Sequence, residues 1–535
     1  MSIFTSRVST QTEEFARNRV AYLALIDDLR RRRAEAVIGG SEKARKLHQS
    51  RGQMLPRQRI TALLDPGSPF LEFGQLAGAD LYEGVPPGAT IITGVGMVQG
   101  RACMIIVNEA TVKGGTMFGM TTKRHTRAQQ FAWRHRLPCI TMVQSGGGFL
   151  PDLANIFPDE GHAGSIMYNQ VRMSAEGIAQ IAIVHGPSTA GGAYIPALCD
   201  EVVIVRNQGA MFLGSPQLVY AATKEVSDVE SLGGAQMHTT VSGVTDHMAE
   251  DDGHALAITR DIVARLEARP ALRWELVAPR APKYRAEEIY GLFNADRRIP
   301  NNTREILARL TDGSELQEFK PLFGDTLICG FAHVHGYPVG ILASNGVMFS
   351  ESAVKGAHFI EMCCKRDIPL WFIVDTPGFM VGTAAERGGI AKHGAKFMTA
   401  MASANVPKYT LITGGSYAAA YLAMCGRGFD PHCMMMWPTG HSALMGPEQA
   451  VTTLTMVRET IHKREGTSWT DAEREAFQAP VRKDFTEFAS PYNFARHLWC
   501  DMVIEPAETR EVMALLLDLA GRTRAIPTRM GVFRM

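Results

Sequence analysis

None of the nine cysteines forms a CxxC pair, and an odd number scattered over 535 residues supports neither a zinc ribbon nor a disulfide scaffold. Free thiols in a reducing cytosol are the expectation. An excess of one charge is also missing. The 55 basic and 54 acidic side chains leave +1, without the strongly basic domain that a nucleic-acid binder presents. There is no GxxxxGK[ST] phosphate loop, and Gly94-Val-Gly-Met-Val-Gln-Gly100 is spaced wrongly for a dinucleotide fingerprint. Gly186-Pro-Ser188-Thr-Ala190 and Gly414-Gly-Ser416-Tyr-Ala418 each fall one residue short of a GxSxG elbow, with no histidine and acid placed to activate the serine. His333 and His335 stand two apart on an apolar strand, facing one side, with no third ligand nearby. They read as core or edge histidines, and no metal is expected. The N-terminus MSIFTSRVSTQTEEFARN has no apolar run and carries Glu13 and Glu14, so no targeting peptide is read there and a cytoplasmic location is expected. Gly177–Cys199 is uncharged and long enough to cross a bilayer, but Gln180, His185, Pro187 and its glycines point to a buried strand followed by a buried helix. No membrane span is expected.

What the chain does have is a large apolar fraction, 46% against 20% charged, enough for a substantial core. Its 51 glycines lie in short clusters, a sign of close backbone approach to a ligand. Residues 10–64 are helical and polar in pattern, with Arg30–Arg33 as a solvated face. From about residue 89, short apolar runs alternate with helix-like stretches, the texture of stacked βαβ units and an α/β fold. APRAPKYRAE (278–287) reads as a linker, and ETREVMALLLDLAG near the end as an amphipathic helix. The two halves rhyme. Pro138-CITMVQS-Gly146-Gly147 and Pro369-LWFIVDT-Pro377-Gly378-Phe379 are offset by 231 residues. IAIVHGPSTAGGAY (181–194) and YTLITGGSYAAAY (409–421) are offset by 228. Two similar domains follow, placed at residues 1–277 and 278–535.

Each half therefore carries a strand, a turn of tiny residues and an apolar helix start. Unpaired N–H groups at such a start, unshielded at Gly191-Gly192 or Ala419-Ala420, can converge on one oxygen as an oxyanion hole. Each donor of such a hole is worth about 3–4 kcal/mol. Close helix–strand packing also needs small residues; the recurrence of the device opposite matching glycine turns favours the ligand reading. Met434–Met436 beside Trp437 is core packing. With no obvious acid, base, nucleophile or metal, a chain rich in backbone donors suits chemistry through a stabilised enolate.

The sequence resembles the carboxyltransferase (β) subunits of biotin-dependent acyl-CoA carboxylases over nearly its whole length, most closely the methylcrotonoyl-CoA carboxylase branch. The resemblance is carried by HQSRGQMLPRQRITALLDPGSPFLE (48–72), NEATVKGGT (108–116), STAGGAYIPALCDE (188–201), SLGGAQMHTTVSGVTDH (231–247), PGFMVG (377–382), GGIAKHGAK (388–396), MCGRGFDP (424–431) and the ending GVFRM. It implies two tandem crotonase-like (ClpP/crotonase) ββα-superhelix domains, the first binding acyl-CoA and the second receiving carboxybiotin. By motif position, Gly191 and Gly192 would hold the thioester enolate, and Ala419 and Ala420 the ureido oxygen of biotin. Gly146, Gly147, Gly378 and Phe379 would border the ligands. Arg51, Arg57 and Arg59 of a helix spanning RGQMLPRQR would lie near the CoA phosphates. The chain shows no biotin carboxylase domain and no Ala-Met-Lys-Met biotinylation site, so biotin would come on a partner, the biotin carboxylase/biotin carrier (α) subunit. A homo-oligomer is implied, a hexamer built from dimers with an active site shared between chains.

Four departures from the family pattern bear on the acyl group. The second turn reads Ser416-Tyr-Ala418-Ala419-Ala420-Tyr421 where relatives carry glycine, and φ > 0 there would be costly for alanine. The first glycine turn reads Gln144-Ser-Gly-Gly-Gly148-Phe149 in place of Asp-Ser-Gly-Gly-Ala. Asp375-Thr-Pro-Gly-Phe379 and Leu422 are compared with propionyl-type relatives, which share the first pattern and carry an acidic residue at the second. The expected substrate is 3-methylcrotonyl-CoA, carboxylated at the γ-carbon. Geranyl-CoA, propionyl-CoA or another acyl-CoA is the alternative, and a decarboxylase subunit or a non-catalytic assembly subunit stands behind those.

Overall fold

The computed structural model describes residues 2–294 and 301–535. These form two compact units. The first is Arg30–Ala271 with Arg496–Leu498; the second gathers Met1–Leu29, Leu272–Ala495 and Trp499–Met535. The division thus falls at 271/272, where the sequence places it at 277/278, and the first 29 residues group with the second unit. The polar N-terminal stretch is three helices, Glu13–Ile38, Glu42–Ser50 and Pro56–Leu63. RGQMLPRQR is therefore not one helix. Arg51 caps the second of these helices and the third starts at Pro56, whose missing N–H and fixed φ suit a first helical position.

The first unit is built on eight strands. Leu71–Phe73, Ile91–Val98 and Arg101–Asn108 run antiparallel, and Cys139–Ser145, Gln180–Thr189, Glu201–Val205 and His247–Ala249 continue in parallel. Ala210–Phe212 pairs alongside the end of Gln180–Thr189. The second unit repeats this plan on nine. Ser2–Ile3, Glu315–Phe319, Leu327–Val334 and Tyr337–Ser344 are antiparallel; Leu370–Thr376, Lys408–Tyr417, Cys433–Met436 and Met502–Val503 are parallel. His441–Ala443 pairs alongside Lys408–Tyr417. The central strands CITMVQS and LWFIVDT are almost wholly buried, as parallel strands covered on both faces must be.

The uncharged Gly177–Cys199 stretch is the strand Gln180–Thr189 and the helix Gly191–Ala197, as its sequence predicts. Among the described residues no helix is long and apolar enough to cross a membrane, and no group of three or more His, Cys, Asp or Glu could hold a metal. Met434, Met435, Met436 and Trp437 are fully buried. His335 departs from expectation: it leaves the strand at Val334, adopts φ 49° in the hairpin turn, and its N–H donates to Asp312 Oδ1 at 2.9 Å.

In the first unit, Ile60 and Leu63 pack with Leu256, Ile262 and Val263 onto Ile105, Ile140, Ile181 and Val203. This apolar layer brings the helices Pro56–Leu63 and Asp252–Ala264 together against the sheet. It thereby fixes the places of Arg59 and Asp252.

Candidate active site

In both units the central pair of parallel strands ends in an irregularity of register, between Val143 and Ser145 in one and between Val374 and Thr376 in the other. Such bulges re-aim the chain at strand ends. Beyond them Gly147 (φ 89°) and Gly378 (φ 130°) take conformations that glycine alone adopts freely. The N–H of Gly147 donates to Ser145 Oγ at 3.2 Å, and that of Gly378 to Thr376 Oγ1 at 3.3 Å. Each turn is then strapped from one side. Met117 N–H donates to Gly147 O and Phe149 N–H to Met117 O, both at 2.8 Å. Met348 N–H donates to Gly378 O and Met380 N–H to Met348 O, both at 2.9 Å. Phe379 pairs with Met348 as Gly148 does with Met117. Gly146 sits inside the first turn, its N–H donating to Gly114 O at 3.0 Å.

The neighbouring strands end alike. Ser188 pairs with Ser145 and Ser416 with Thr376, both serines are buried, and neither hydroxyl has a hydrogen-bond partner among the described residues. Two residues on, Ala190 has φ 52°, ψ −125°, and Ala418 has φ 49°. The helices Gly191–Ala197 and Ala418–Ala423 start there. Gly191, Gly192 and Ala419 lie in first turns, where N–H groups have no intrahelical acceptor. The positive φ thus falls one residue before Ala419, at a position occupied by alanine in both units. Ala419 and Ala420 lie in the helix, where alanine is favoured, so the substitution keeps the donors. A Cβ on Gly191 would meet only Met167 Cε at 3.8 Å; on Gly192 it would come within 3.3 Å of Ser145 Cβ.

Gln144 and Asp375 occupy the position before these turns. The side chain of each lies over a glycine, Gly186 or Gly414, where a Cβ would come within 2.5 or 2.3 Å of it. Asp375 accepts from Gly415 N–H and Asn301 Nδ2, each at 2.8 Å. Gln144 instead joins a polar network: its Oε1 accepts from Arg59 Nη1 at 3.3 Å, and its Nε2 donates to Gln53 Oε1 at 3.3 Å.

That network bears on the reading of Arg59. Arg59 is 1% exposed, with Nε donating to Asp252 Oδ2 at 3.0 Å, so it cannot reach a phosphate outside the protein. Arg57 grips Glu72 with both Nη atoms, at 2.9 and 3.0 Å. Arg51 is exposed. Sequence reasoning missed the centre of the network, Asp252. Its Oδ2 also accepts from Met54 N–H at 2.7 Å, and its Oδ1 faces His185 Nδ1 at 2.6 Å. Burial and the nearby Arg59 charge push His185 down to about 4 against the pull of Asp252, so the ring is neutral at pH 7 and Nδ1 carries the proton donated to Asp252. Burial also opposes ionisation of Asp252, but hydrogen bonds from His185 and Met54 and the charge of Arg59 outweigh it and hold the carboxyl at about 2. Burial lowers Arg59 from its usual value. No local spacing betrays this cluster; the only sequence signal is a histidine inside an otherwise uncharged strand.

Residues 47–531 match the carboxyl transferase domain family. The chain belongs to that family, as an enzyme of the carboxyltransferase (β) subunit type found in biotin-dependent acyl-CoA carboxylases, built from two crotonase-like α/β units. It is 51% identical over 511 residues to the biotin-dependent 3-methylcrotonyl-coenzyme A carboxylase beta1 subunit of Mycobacterium tuberculosis, covering 96% of this chain and 97% of that one. The crystal structure of the P. aeruginosa geranyl-CoA carboxylase beta subunit matches it with a TM-score of 0.89 at 37% identity, covering 100% and 99% of the two chains. At 31% identity over 521 residues it also matches methylmalonyl-CoA decarboxylase subunit alpha of Veillonella parvula, covering 95% and 98%.

Proposed function

We propose that the enzyme carboxylates the γ-carbon of a branched 2-enoyl-CoA, 3-methylcrotonyl-CoA in the first place. The carboxyl group is supplied by carboxybiotin carried on a biotin carboxylase/biotin carrier partner subunit. The observation that carries this reading is the 51% identity, over nearly all of both chains, with the 3-methylcrotonyl-coenzyme A carboxylase subunit. Gly191 and Gly192 present N–H groups to the thioester oxygen, whose negative charge grows as the acyl group loses a proton. Conjugation through the C=C spreads that charge to the γ-carbon, so one hole serves a vinylogous enolate. Ala419 and Ala420 offer the matching donors for the ureido oxygen, and the turns at Gly146–Gly147 and Gly378–Phe379 border the two ligands. Arg51, exposed beside the helix start at Pro56, is left to meet CoA phosphate. The chain works in the cytoplasm, without a metal of its own, as a homo-hexamer built from dimers together with its α partner.

A substrate panel with the reconstituted complex tests this, comparing kcat/KM for 3-methylcrotonyl-, geranyl-, propionyl- and acetyl-CoA. Preference for a saturated thioester would sink it. Geranyl over methylcrotonyl would keep the chemistry and move the pocket assignment, a second reading favoured by the structural match to the geranyl-CoA carboxylase subunit and by the altered Gln144–Phe149 turn. Incorporation of labelled bicarbonate with ATP and the partner separates both from a decarboxylase.

A further inference from the structure

We propose that Arg59, Asp252 and His185 are positioning residues that hold the Gly191–Gly192 donors at their working geometry. This rests on the reading of those glycines as enolate donors.

The case starts from the internal repeat. Arg59 is the fourth residue of the helix Pro56–Leu63; the fourth residue of its counterpart Thr303–Leu310 is Ile306, buried and apolar. The two helices correspond because Arg57 and Arg304, second in each, make the same two-pronged pair with Glu72 and Glu318. His185 lies three residues before Ser188, and Thr413 three before Ser416, with Thr413 Oγ1 donating to Val374 O at 3.2 Å. Asp252 opens the helix after the last strand of its sheet, four residues past Met248; four residues past the equivalent Val503 the second unit has Ala507. The second unit therefore fills these places with Ile, Thr and Ala. A buried ion pair rarely improves on such neutral packing. This one also leaves Arg59 Nη2 and His185 Nε2 buried without a hydrogen-bond partner among the described residues, which is unfavourable.

What the charged version adds is a closed ring of contacts. Asp252 binds Arg59, Arg59 binds Gln144, Gln144 binds Gln53, and Gln53 Nε2 donates to His185 O at 3.0 Å while the His185 ring returns to Asp252. Both strand ends that carry the site pass through the ring. Gln144 precedes Ser145, whose O accepts from Thr189 Oγ1 at 3.2 Å and whose Cβ lies under Gly192. His185 lies on the strand that delivers Gly191. The ring also takes in Met54 N–H, at the start of the segment that follows Arg51.

The test exchanges one unit's solution for the other's. The variant Arg59→Ile/His185→Thr/Asp252→Ala is made in the full chain, assembled with its biotin-bearing partner and compared with the unmodified protein. The expected result is a urea midpoint at or above that of the parent, KM for 3-methylcrotonyl-CoA within about threefold, and kcat lower by about thirtyfold or more, the scale of a misplacement near 1 Å. A kcat within threefold, or a loss that only follows the unfolded fraction, would overturn the proposal. Should the triple variant not fold, Gln144→Met leaves the ion pair and cuts the ring at the strand end. A tenfold loss of kcat is then expected, and parental kcat overturns the idea. Hydrogen exchange over residues 186–197 is read on the same proteins without substrate. Exchange at least tenfold faster in the variant supports the clamp even if the parent turns over no acyl-CoA, an outcome that would count against the proposed function instead. Unchanged exchange overturns the clamp.

Discussion

Arg57 and Arg304 hold Glu72 and Glu318 in the same way, but beside Arg57 stands a buried arginine and beside Arg304, at the matching place, an isoleucine. The two units share their strand order, their strand-end irregularities, their strapped glycine turns and an alanine of positive φ at the helix start. What recurs in both is what this fold needs to make its pair of strand-end turns. What occurs in one, the Arg59–Asp252–His185 cluster, needs an explanation beyond the fold. By the same rule Arg57, which its charge alone makes a phosphate ligand, becomes a brace that both units use.

The largest effect should come from removing donors. Gly191→Pro deletes one N–H at the first helical position, where proline is tolerated, and Gly192→Pro deletes the next. Turnover should fall by about 10²–10³-fold, as for loss of one oxyanion-hole donor. Ala419→Pro asks the same of the other unit. Equal losses would give both turns donor roles; a loss confined to the glycine unit would reduce the alanine turn to packing. Turnover of Gly191→Pro within about tenfold of the parent, with the fold intact, contradicts the donor reading.

The shared brace should differ in strength between the units. Glu72 also pairs with Arg124 Nη2 at 3.0 Å, and Arg124 is fully buried with its remaining N–H groups on backbone carbonyls and Thr93. The equivalent cation, Lys355, donates to Gly324 O at 3.4 Å. Glu72→Gln therefore leaves a buried guanidinium without its counter-charge and should cost about 3 kcal/mol, while Glu318→Gln should cost about 1–2 kcal/mol. Urea titration of the two variants checks the order, and equal costs would remove Arg124 from the explanation.

The repeat was legible because its landmarks are local: a proline, an apolar run and small residues recur at offsets of 231 and 228. Those runs predict the central strands, and the small residues predict the turns, because both depend on near neighbours. The carboxylate partners of Arg57 and Arg59 are not legible in the sequence because they are not neighbours. Glu72 is 15 residues from Arg57 and Asp252 is 193 from Arg59, so only the packed sheet brings them together. Ala190 and Ala418 carry no signal of positive φ, since alanine ordinarily avoids it.

Acid should separate the units further. Burial pushes His125 and His185 of the first unit down to about 4; their counterparts Gly356 and Thr413 do not titrate. An unfolded chain binds protons on these rings below its value of about 6.5, and the folded chain does not until about 4. Stability is thus complete above about pH 6.5 and falls as the pH is lowered through that window, by up to about 3 kcal/mol per histidine. Hydrogen exchange between pH 7 and 5, corrected for intrinsic rates, should show the strand Gln180–Thr189 losing more protection than Lys408–Tyr417. Equal losses would mean that the histidines do not set the difference.

The smallest expected effect concerns the alanine that both units keep at positive φ. An L-residue there costs about 1–2 kcal/mol, and glycine returns part of that through its greater freedom when unfolded. Ala190→Gly should stabilise the protein by about 1 kcal/mol or less, because φ 52° with ψ −125° lies outside the left-handed helical well and close to glycine-only territory. Ala418→Gly is the comparison, and the pair of urea midpoints shows whether the two turns store equal strain. A loss of stability in Ala190→Gly would mean that the alanine methyl makes a contact worth more than the strain it bears. A gain in both would show the same strained position retained in both units, beside turns that otherwise differ in side chain at nearly every step.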